Sequence, residues 1–473
     1  MFFVFYLGEY YRLKPIRLNM VDTIIRGGLI YTMNPKKSVI EDGAIAMDKG
    51  SIVDIGKNAQ ISAKYKAEHV IDASGKAVLP GFVNIHTHLP SIFVRGVYGV
   101  VREGLYQVLF PVKEYLKPEH CYSLGLASCL EALVSGNTTI QETYNYMDYF
   151  ARAAKETGIR ADLGEQIAEA DYQAIKDGEY KYIPEQAEEM IVRATSFKQQ
   201  WDGEADGRIS VSWAPLAPDM CTPWVYEEVL KQQKPGEKIS THVEQSIREV
   251  EQVKRLYDKT SVEHLGDMGV LGPDLIGAHC IFNTESDLQM MHQARASVLH
   301  CPRPYLLGGA TAPLARWLEM GLKVGLGTDN VFHNMWETMR AALYMSRILE
   351  MQGEPGSPSY YEVLELATIK GAEVLGLQDK VGSLEPGKKA DIQLIDLKQP
   401  NIMPTADITS SLVLYGNTMN VDTVVVDGKI LKQSGRMIHL DSAKVLDDAQ
   451  AITTEIWESL FSARPQLRKL VKG

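Results

Sequence analysis

Apolar and polar positions follow two different rhythms along the chain. Between Thr23 and Val78 they alternate with a period of two in short runs: TIIRGGLIYTM, then GAIAMDKGSIVDIG, then HVIDASGKAVLPG. Glycines, Asp-Lys-Gly and Ser-Gly-Lys separate these runs, and such breaks mark hairpins between short strands. The same style returns near the other end in ADIQLIDL, TSSLVLYG and VDTVVVDGKILKQSG. Two β-rich pieces at opposite ends predict one small β-sandwich domain, built from residues 20–78 and 385–440 and flanking whatever lies between.

The middle of the chain has the second rhythm. Eight short apolar runs read as strands: FVNIHTH (82–88), TTIQET (138–143), RADLGEQ (160–166), ISVSWAP (209–215), KISTHVEQ (238–245), LIGAHC (275–280), SVLHCP (297–302) and KVGLGTD (323–329). Amphipathic stretches such as PEHCYSLGLASCLEALVSG lie between most of them, the latter ending on Gly136 as a helix C-cap. Strand–helix alternation repeated eight times predicts an α/β fold, a (β/α)8 TIM-type barrel over residues 79–384. Tyr360 to Leu375 reads as one more helix, residues 441–473 as a helical tail, and residues 1–19 as an N-terminal extension.

Composition narrows the function classes. The chain has 473 residues, 45% hydrophobic and 23% charged, as ordinary globular proteins do. Its formal charge of −11 argues against a nucleic-acid partner, which needs a clustered basic face, and against an anionic membrane surface. Cys121, Cys129, Cys221, Cys280 and Cys301 are odd in number and lack CxxC spacing. They suggest reduced thiols in a cytoplasmic protein rather than a disulfide framework. The aromatic-rich start has no long apolar segment ending in a cleavage site, and no window is apolar enough for a membrane span.

Chemistry-bearing residues fall at the ends of the strand-like runs. His86 and His88 close the first, His242 the fifth, His279 the sixth and Asp329 the eighth. In a parallel barrel these C-terminal ends meet at one mouth. His86 and His88 stand two apart on a strand, so both imidazoles face the same side and can reach one ion. His242 and Asp329 are the natural third and fourth ligands, although a strand histidine can also be a core residue and Asp329 can cap the next helix. Three histidines and a carboxylate suit one divalent metal per subunit, zinc foremost, with iron or cobalt also suited. Water on such a metal becomes acidic enough to give hydroxide at neutral pH, with Asp329 accepting its proton. His279 is then the group that polarises the substrate or protonates the leaving group, unless it is a core histidine. Glu142, Gln166, Arg303 and His333 lie at or just beyond strand ends and are candidates to contact the substrate.

Together LPGFVNIHTHLP, the isolated histidine of STHVEQ, GAHC, LHCPRPYLLGG, VGLGTDN and GSLEPGKKADIQLIDL resemble the amidohydrolase superfamily. They are most similar to its branch of heterocycle deaminases and triazine, phenylurea and thiocarbamate hydrolases, over about Thr23 to Gln433. The resemblance implies a mononuclear zinc or iron site held by His86, His88, His242 and Asp329, with His279 catalytic. It also implies that the two terminal β segments share one domain and that the protein forms a dimer or larger homo-oligomer. Binuclear relatives carry a lysine at the end of the fourth strand. ISVSWAP has none, which favours a single metal.

One position departs from the pattern. Deaminases of the branch carry His-x-x-Glu on the fifth strand, and here that glutamate is Gln245. An amide cannot accept and return a proton as a carboxyl does. Glu244 lies one residue earlier and faces the other way on an extended strand, unless a bulge turns it in. Hydrolysis of a small urea, carbamate, thiocarbamate or amide needs no protonated ring nitrogen. Metal hydroxide attack on such a carbonyl, with Gln245 as hydrogen-bond partner, is therefore the expected chemistry. The alternative is an aminohydrolase or dechlorinase of an N-heterocycle such as a triazine or purine. A catalytically silent binding protein would not need the whole histidine set. The stretch SIFVRGVYGVVREGLYQVLFP, with Arg95, Arg102 and Glu103 as its charges, reads as an apolar, aromatic wall or as helix packing.

Overall fold

The computed structural model describes residues 18–99, 104–465 and 468. The N-terminal extension expected over 1–19, and Arg102 and Glu103, lie almost wholly outside them. The described chain is an α/β fold of parallel sheets joined to a nine-stranded sheet made from both ends of the sequence. In that terminal sheet Asn19–Tyr31 runs antiparallel to Val39–Asp48, with Ile25 opposite Ile45, and Val39–Asp48 continues to Ser51–Lys57. Lys76–Pro80 is the joint. It lies parallel to Asn19–Tyr31 and antiparallel to Ile392–Asp396, pairing Val78 with Leu394 and Pro80 with Ile392. Beyond Ile392–Asp396 come Val421–Val426, Lys429–Gln433 and Arg436–Met437. Ile25, Ile45, Val78, Ile392, Leu394 and Val425 are fully buried in its core.

The remaining strands are parallel. Phe82–His88, Asn137–Tyr144 and Arg160–Ile167 pair in sequence, with Ile209–Val211 and Ala214–Pro215 against the last. A second sheet orders Ile239–Val243, Leu275–His279, Ser297–His300 and Lys323–Leu326. The two sheets touch at both ends. Trp213 bridges to Ile239, and Asp329–Asn330, which follows Lys323–Leu326, pairs with Thr87 and His88. Every residue of Phe82–His88, Asn137–Tyr144, Arg160–Ile167, Ile239–Val243 and Leu275–His279 is buried. Strands covered on both faces read as near-continuous apolar runs, which is why this region lacks the alternation of the terminal sheet. A guanidinium–carboxylate pair ties the two regions together: Arg160 Nε donates to Asp391 Oδ2 at 2.8 Å and Nη2 to Oδ1 at 3.0 Å.

Two expectations fail locally. TSSLVLYG forms a helix, Ile408–Tyr415, and not a strand. Asp407 caps it by accepting from the amides of Thr409 and Ser410, and that cap outweighs the strand propensity of valine and tyrosine. Tyr360 to Leu375 is two helices, Tyr360–Leu366 and Ile369–Leu375, broken at Thr368, whose backbone is non-helical. The C-terminal segment is helical over Ser442–Ala463. Among the described residues no helix is long and apolar enough to cross a membrane, and all five cysteines are buried and unpaired.

Candidate functional site

Two glycines let the site strands come close enough to share a centre. A Cβ on Gly81 would lie 2.0 Å from the side chain of Thr138, so glycine lets Phe82–His88 begin tight against Asn137–Tyr144. A Cβ on Gly327 would lie 2.7 Å from that of His86 and 3.0 Å from Cys301 Sγ. Its absence allows the chain to bring Asp329 over His86. Backbone strain gathers at the same place: Glu244, His279, Cys280, Asp329 and Val331 all have positive φ, Val331 being β-branched. Such conformations persist only where surrounding structure imposes them, and they cluster at functional sites.

His86, His88, His242, His279 and Asp329 converge. Ligand atoms of His86, His242 and His279 lie within 4.8 Å of one another, and so do those of His86, His88 and Asp329. Asp329 Oδ1 is 3.6 Å from His88 Nε2 and 3.9 Å from His86 Nε2. His88 Nδ1 donates to the Thr143 carbonyl at 2.7 Å, and His242 Nδ1 to the Leu216 carbonyl at 2.6 Å. Carbonyls only accept, so both rings carry their proton on Nδ1 and present an Nε2 lone pair to the centre. Those two nitrogens stand 3.2 Å apart. Both ring nitrogens of His86, and Nδ1 of His279, are buried without a partner. Facing lone pairs and orphaned imidazole nitrogens are costly without a cation between them. The donor set therefore fits a divalent metal.

Electrostatics agree with that fit. Burial first, then the neighbouring histidines, holds the imidazoles of His86 and His279 far below their ordinary range. His88 is lowered likewise, and His242 falls to about 4, again chiefly through burial. They are neutral at pH 7, the state in which imidazole binds metal. Burial lifts the Asp329 carboxyl to about 7, against a hydrogen bond from Asn330. A neighbouring cation would restore its charge.

Above this floor opens a cavity of about 880 Å³, lined by His88, His242 and Asp329 together with Gln245, Gln166 and Arg303. Gln245 is thus on the wall. Glu244 turns behind it, its carboxylate accepting from the Ser261 amide at 3.2 Å and Asn283 Nδ2 at 2.8 Å. Both the Glu244 and Gln245 amides donate to Glu249, at 2.6 and 2.9 Å, which holds the turn. His86, His279, Glu142 and His333, also singled out from the sequence, are absent from the cavity wall. Glu142 sits underneath, accepting from Thr87 Oγ1 at 2.5 Å and the Leu89 amide at 2.8 Å, and so positions the strand end that carries His88. His333 is fully buried with both ring nitrogens unpartnered, its carbonyl accepting from Asn137 Nδ2. Tyr305, whose ring is 5.1 Å from that of His279, also lines the cavity, as do Arg95, Arg248 and Lys113. Sequence reading passed over Lys113, a lone cation in the apolar run LFPVK.

The amidohydrolase family model matches residues 77–431. A 5'-deoxyadenosine deaminase of Methanosarcina acetivorans is 33% identical over 92% of this chain and 99% of its own length. A 5-methylthioadenosine/S-adenosylhomocysteine deaminase of Pelotomaculum thermopropionicum is also 33% identical, over 91% and 98%. Among solved structures, an adenosine deaminase from Xanthomonas campestris with bound zinc superposes with a TM-score of 0.86 at 24% identity, covering 93% of this chain and all of that one. An atrazine chlorohydrolase of Arthrobacter aurescens, complexed with zinc, gives 0.82 at 23% over 91% and 100%. With the matched family model, these full-length likenesses settle the assignment: the chain belongs to the amidohydrolase family and is a hydrolytic enzyme acting on carbon–nitrogen bonds other than peptide bonds.

Proposed function

We propose that the protein is a metal-dependent aminohydrolase that releases ammonia from an aminated N-heterocycle. The observation that carries this is the full-length likeness to adenosine-type deaminases, joined to the convergence of His86, His88, His242, His279 and Asp329. It displaces the urea and carbamate chemistry expected from Gln245. In this reading the parallel strands close a (β/α)8 barrel over residues 79–384. The segments 20–78 and 385–440 form the sandwich domain beside it, and 441–473 is a tail.

His86, His88, His242 and Asp329 would hold the metal, zinc foremost. When bound, such a metal supplies Lewis acidity and lowers the pKa of water at its open position. Asp329 would accept the proton of the attacking water, its charge restored by the neighbouring cation. His279, whose ring lies 5.1 Å from that of the wall residue Tyr305, would hand a proton on toward the leaving amine. Gln245 donates its amide N–H to a ring nitrogen or an exocyclic oxygen, orienting the ring without carrying a proton. Gln166 and Arg303 bound the substrate on the cavity wall. Glu142 and His333 act from behind, through the strand end and helix they support.

Zinc-loaded protein assayed on 5'-deoxyadenosine, 5'-methylthioadenosine, S-adenosylhomocysteine, aminated triazines with and without a carboxylate, and phenylureas tests the proposal. Ammonia from a purine or triazine supports it; amine released only from a urea overturns it. A second reading keeps the urea and carbamate class, because Gln245 stands on the wall where a proton-carrying carboxyl is wanted. The variant Gln245→Glu separates the two. Ammonia release should rise about tenfold or more if that position limits proton delivery, since a placed general acid is worth roughly 10²–10⁴-fold.

A further inference from the structure

Among the described residues the cavity wall carries four cations, Arg95, Lys113, Arg248 and Arg303, and a single carboxylate, Asp329, which belongs to the metal donor set. Arg95 pairs with Glu131 at 2.5 Å and Arg303 with Glu337 at 2.7 Å, both from outside the wall. Arg248 lies over the Tyr106 ring and donates to the Ile175 carbonyl.

Lys113 differs. Its Nζ forms no ion pair among the described residues, and its hydrogen bond goes to a neutral group, Gln166 Oε1, at 2.8 Å. Gln166 is itself oriented, because its Nε2 donates to the Thr143 carbonyl at 3.1 Å, the same carbonyl that receives His88 Nδ1. The amide oxygen is thereby fixed toward Lys113. Two ring faces complete the cradle, Tyr144 at 4.2 Å and Tyr172 at 4.8 Å from Nζ. An ammonium has three protons to donate, and this one gives one to a neutral amide. Among the described residues its other protons meet only ring faces, so a largely desolvated ammonium here can take an anion as a further acceptor. The Tyr144 ring also lies 6.2 Å from that of His88, so an anion held by Lys113 sits one aromatic ring away from the metal donor set.

We infer that Lys113 is the anchor for a carboxylate on the substrate, so that the enzyme's substrates are small N-heterocycles bearing a carboxylate as well as the exchangeable amine. A phosphate would draw several cations or a row of backbone amides to one point, whereas the cradle of Gln166, Tyr144 and Tyr172 holds a single ammonium, which suits a carboxylate. Here one ammonium faces the cavity between two tyrosines. The inference rests on the heterocycle reading above and narrows it.

The test uses two probes that carry no releasable amine, pyrimidine-5-carboxylate and 5-methylpyrimidine, titrated calorimetrically into zinc-loaded full-length protein at pH 6.5. The carboxylate should bind at least about tenfold more tightly, the worth of one charge-assisted hydrogen bond. Lys113→Met should erase that preference, and Lys113→Arg, which restores the charge, should keep most of it. Equal affinity of the two probes in the unaltered protein, binding of neither, or a preference that survives in Lys113→Met overturns the inference. Because neither probe can be deaminated, this result stands apart from the ammonia assay. Binding preference without ammonia release would fault the reaction and leave the anchor standing.

Discussion

The floor of the cavity and the core of the terminal sheet are both buried, yet they are built on opposite terms. In the terminal sheet Ile25 faces Ile45, Leu394 faces Val78, and the interior is apolar. At the floor the buried groups are imidazoles and a carboxyl, several without partners, on backbone of positive φ. Burial stabilises the first region at roughly 25 cal/mol per Å² of apolar surface. In the second it is a cost that only a ligand recovers. One region holds the fold and the other is held by it.

The largest effect should come from breaking the floor. His88→Ala removes an imidazole whose tautomer is locked by Thr143, and should lower kcat/KM by about 10³-fold or more with loss of bound zinc by elemental analysis. Metal-free, the same variant should melt within about 1 kcal/mol of the parent or above it, because an unfavourable arrangement has been relieved. Next is the tie between the regions. Asp391→Ala removes both hydrogen bonds of the buried Arg160 guanidinium, leaving it only Asp427 at 4.0 Å among the described residues, and should cost up to about 3–5 kcal/mol in urea denaturation. Ile45→Ala, in the terminal sheet, should cost about 2–5 kcal/mol while leaving the kcat of the folded fraction unchanged. A Tm that falls more for His88→Ala than for Ile45→Ala, both metal-free, would erase the contrast.

The smallest effect is a pH dependence at the cavity wall. Burial pulls the Lys113 ammonium down to about 7, against the pull of Glu165, Cys121 and Glu142, with Arg193 adding to the fall. An anion binds the protonated form, so affinity for pyrimidine-5-carboxylate should be flat below pH 7. Above it, affinity should weaken by about tenfold per unit as the proton is lost. The neutral methyl analogue should show no such slope. A slope shared by both probes would locate the titration elsewhere.

The strands and the histidines were legible because period and position coincide. FVNIHTH, predicted over 82–88, forms as Phe82–His88, and its two histidines stand at its end. RADLGEQ and LIGAHC likewise match their strands to within a residue or two. What could not be read was direction. Glu142 and Gln166 both stand at strand ends, yet one supports the floor from beneath and the other meets the cavity, a difference set by neighbouring strands. Lys113 sits in no motif, and only the packing of Tyr144 and Tyr172 around it makes it conspicuous. TSSLVLYG misled because a single capping aspartate decided its fate.

The joint between Lys76–Pro80 and Ile392–Asp396 has a consequence for how the molecule is made. Gln393 Nε2 reaches the Pro80 carbonyl across 313 positions of sequence. Closing so long a loop in an open chain is entropically unfavourable, and formation of the parallel sheets first would lower that cost by bringing both ends together. Until then Lys76–Pro80 is a bare edge of apolar residues, open to pairing with another chain. During synthesis that edge therefore stays uncovered until Ile392–Asp396 has emerged.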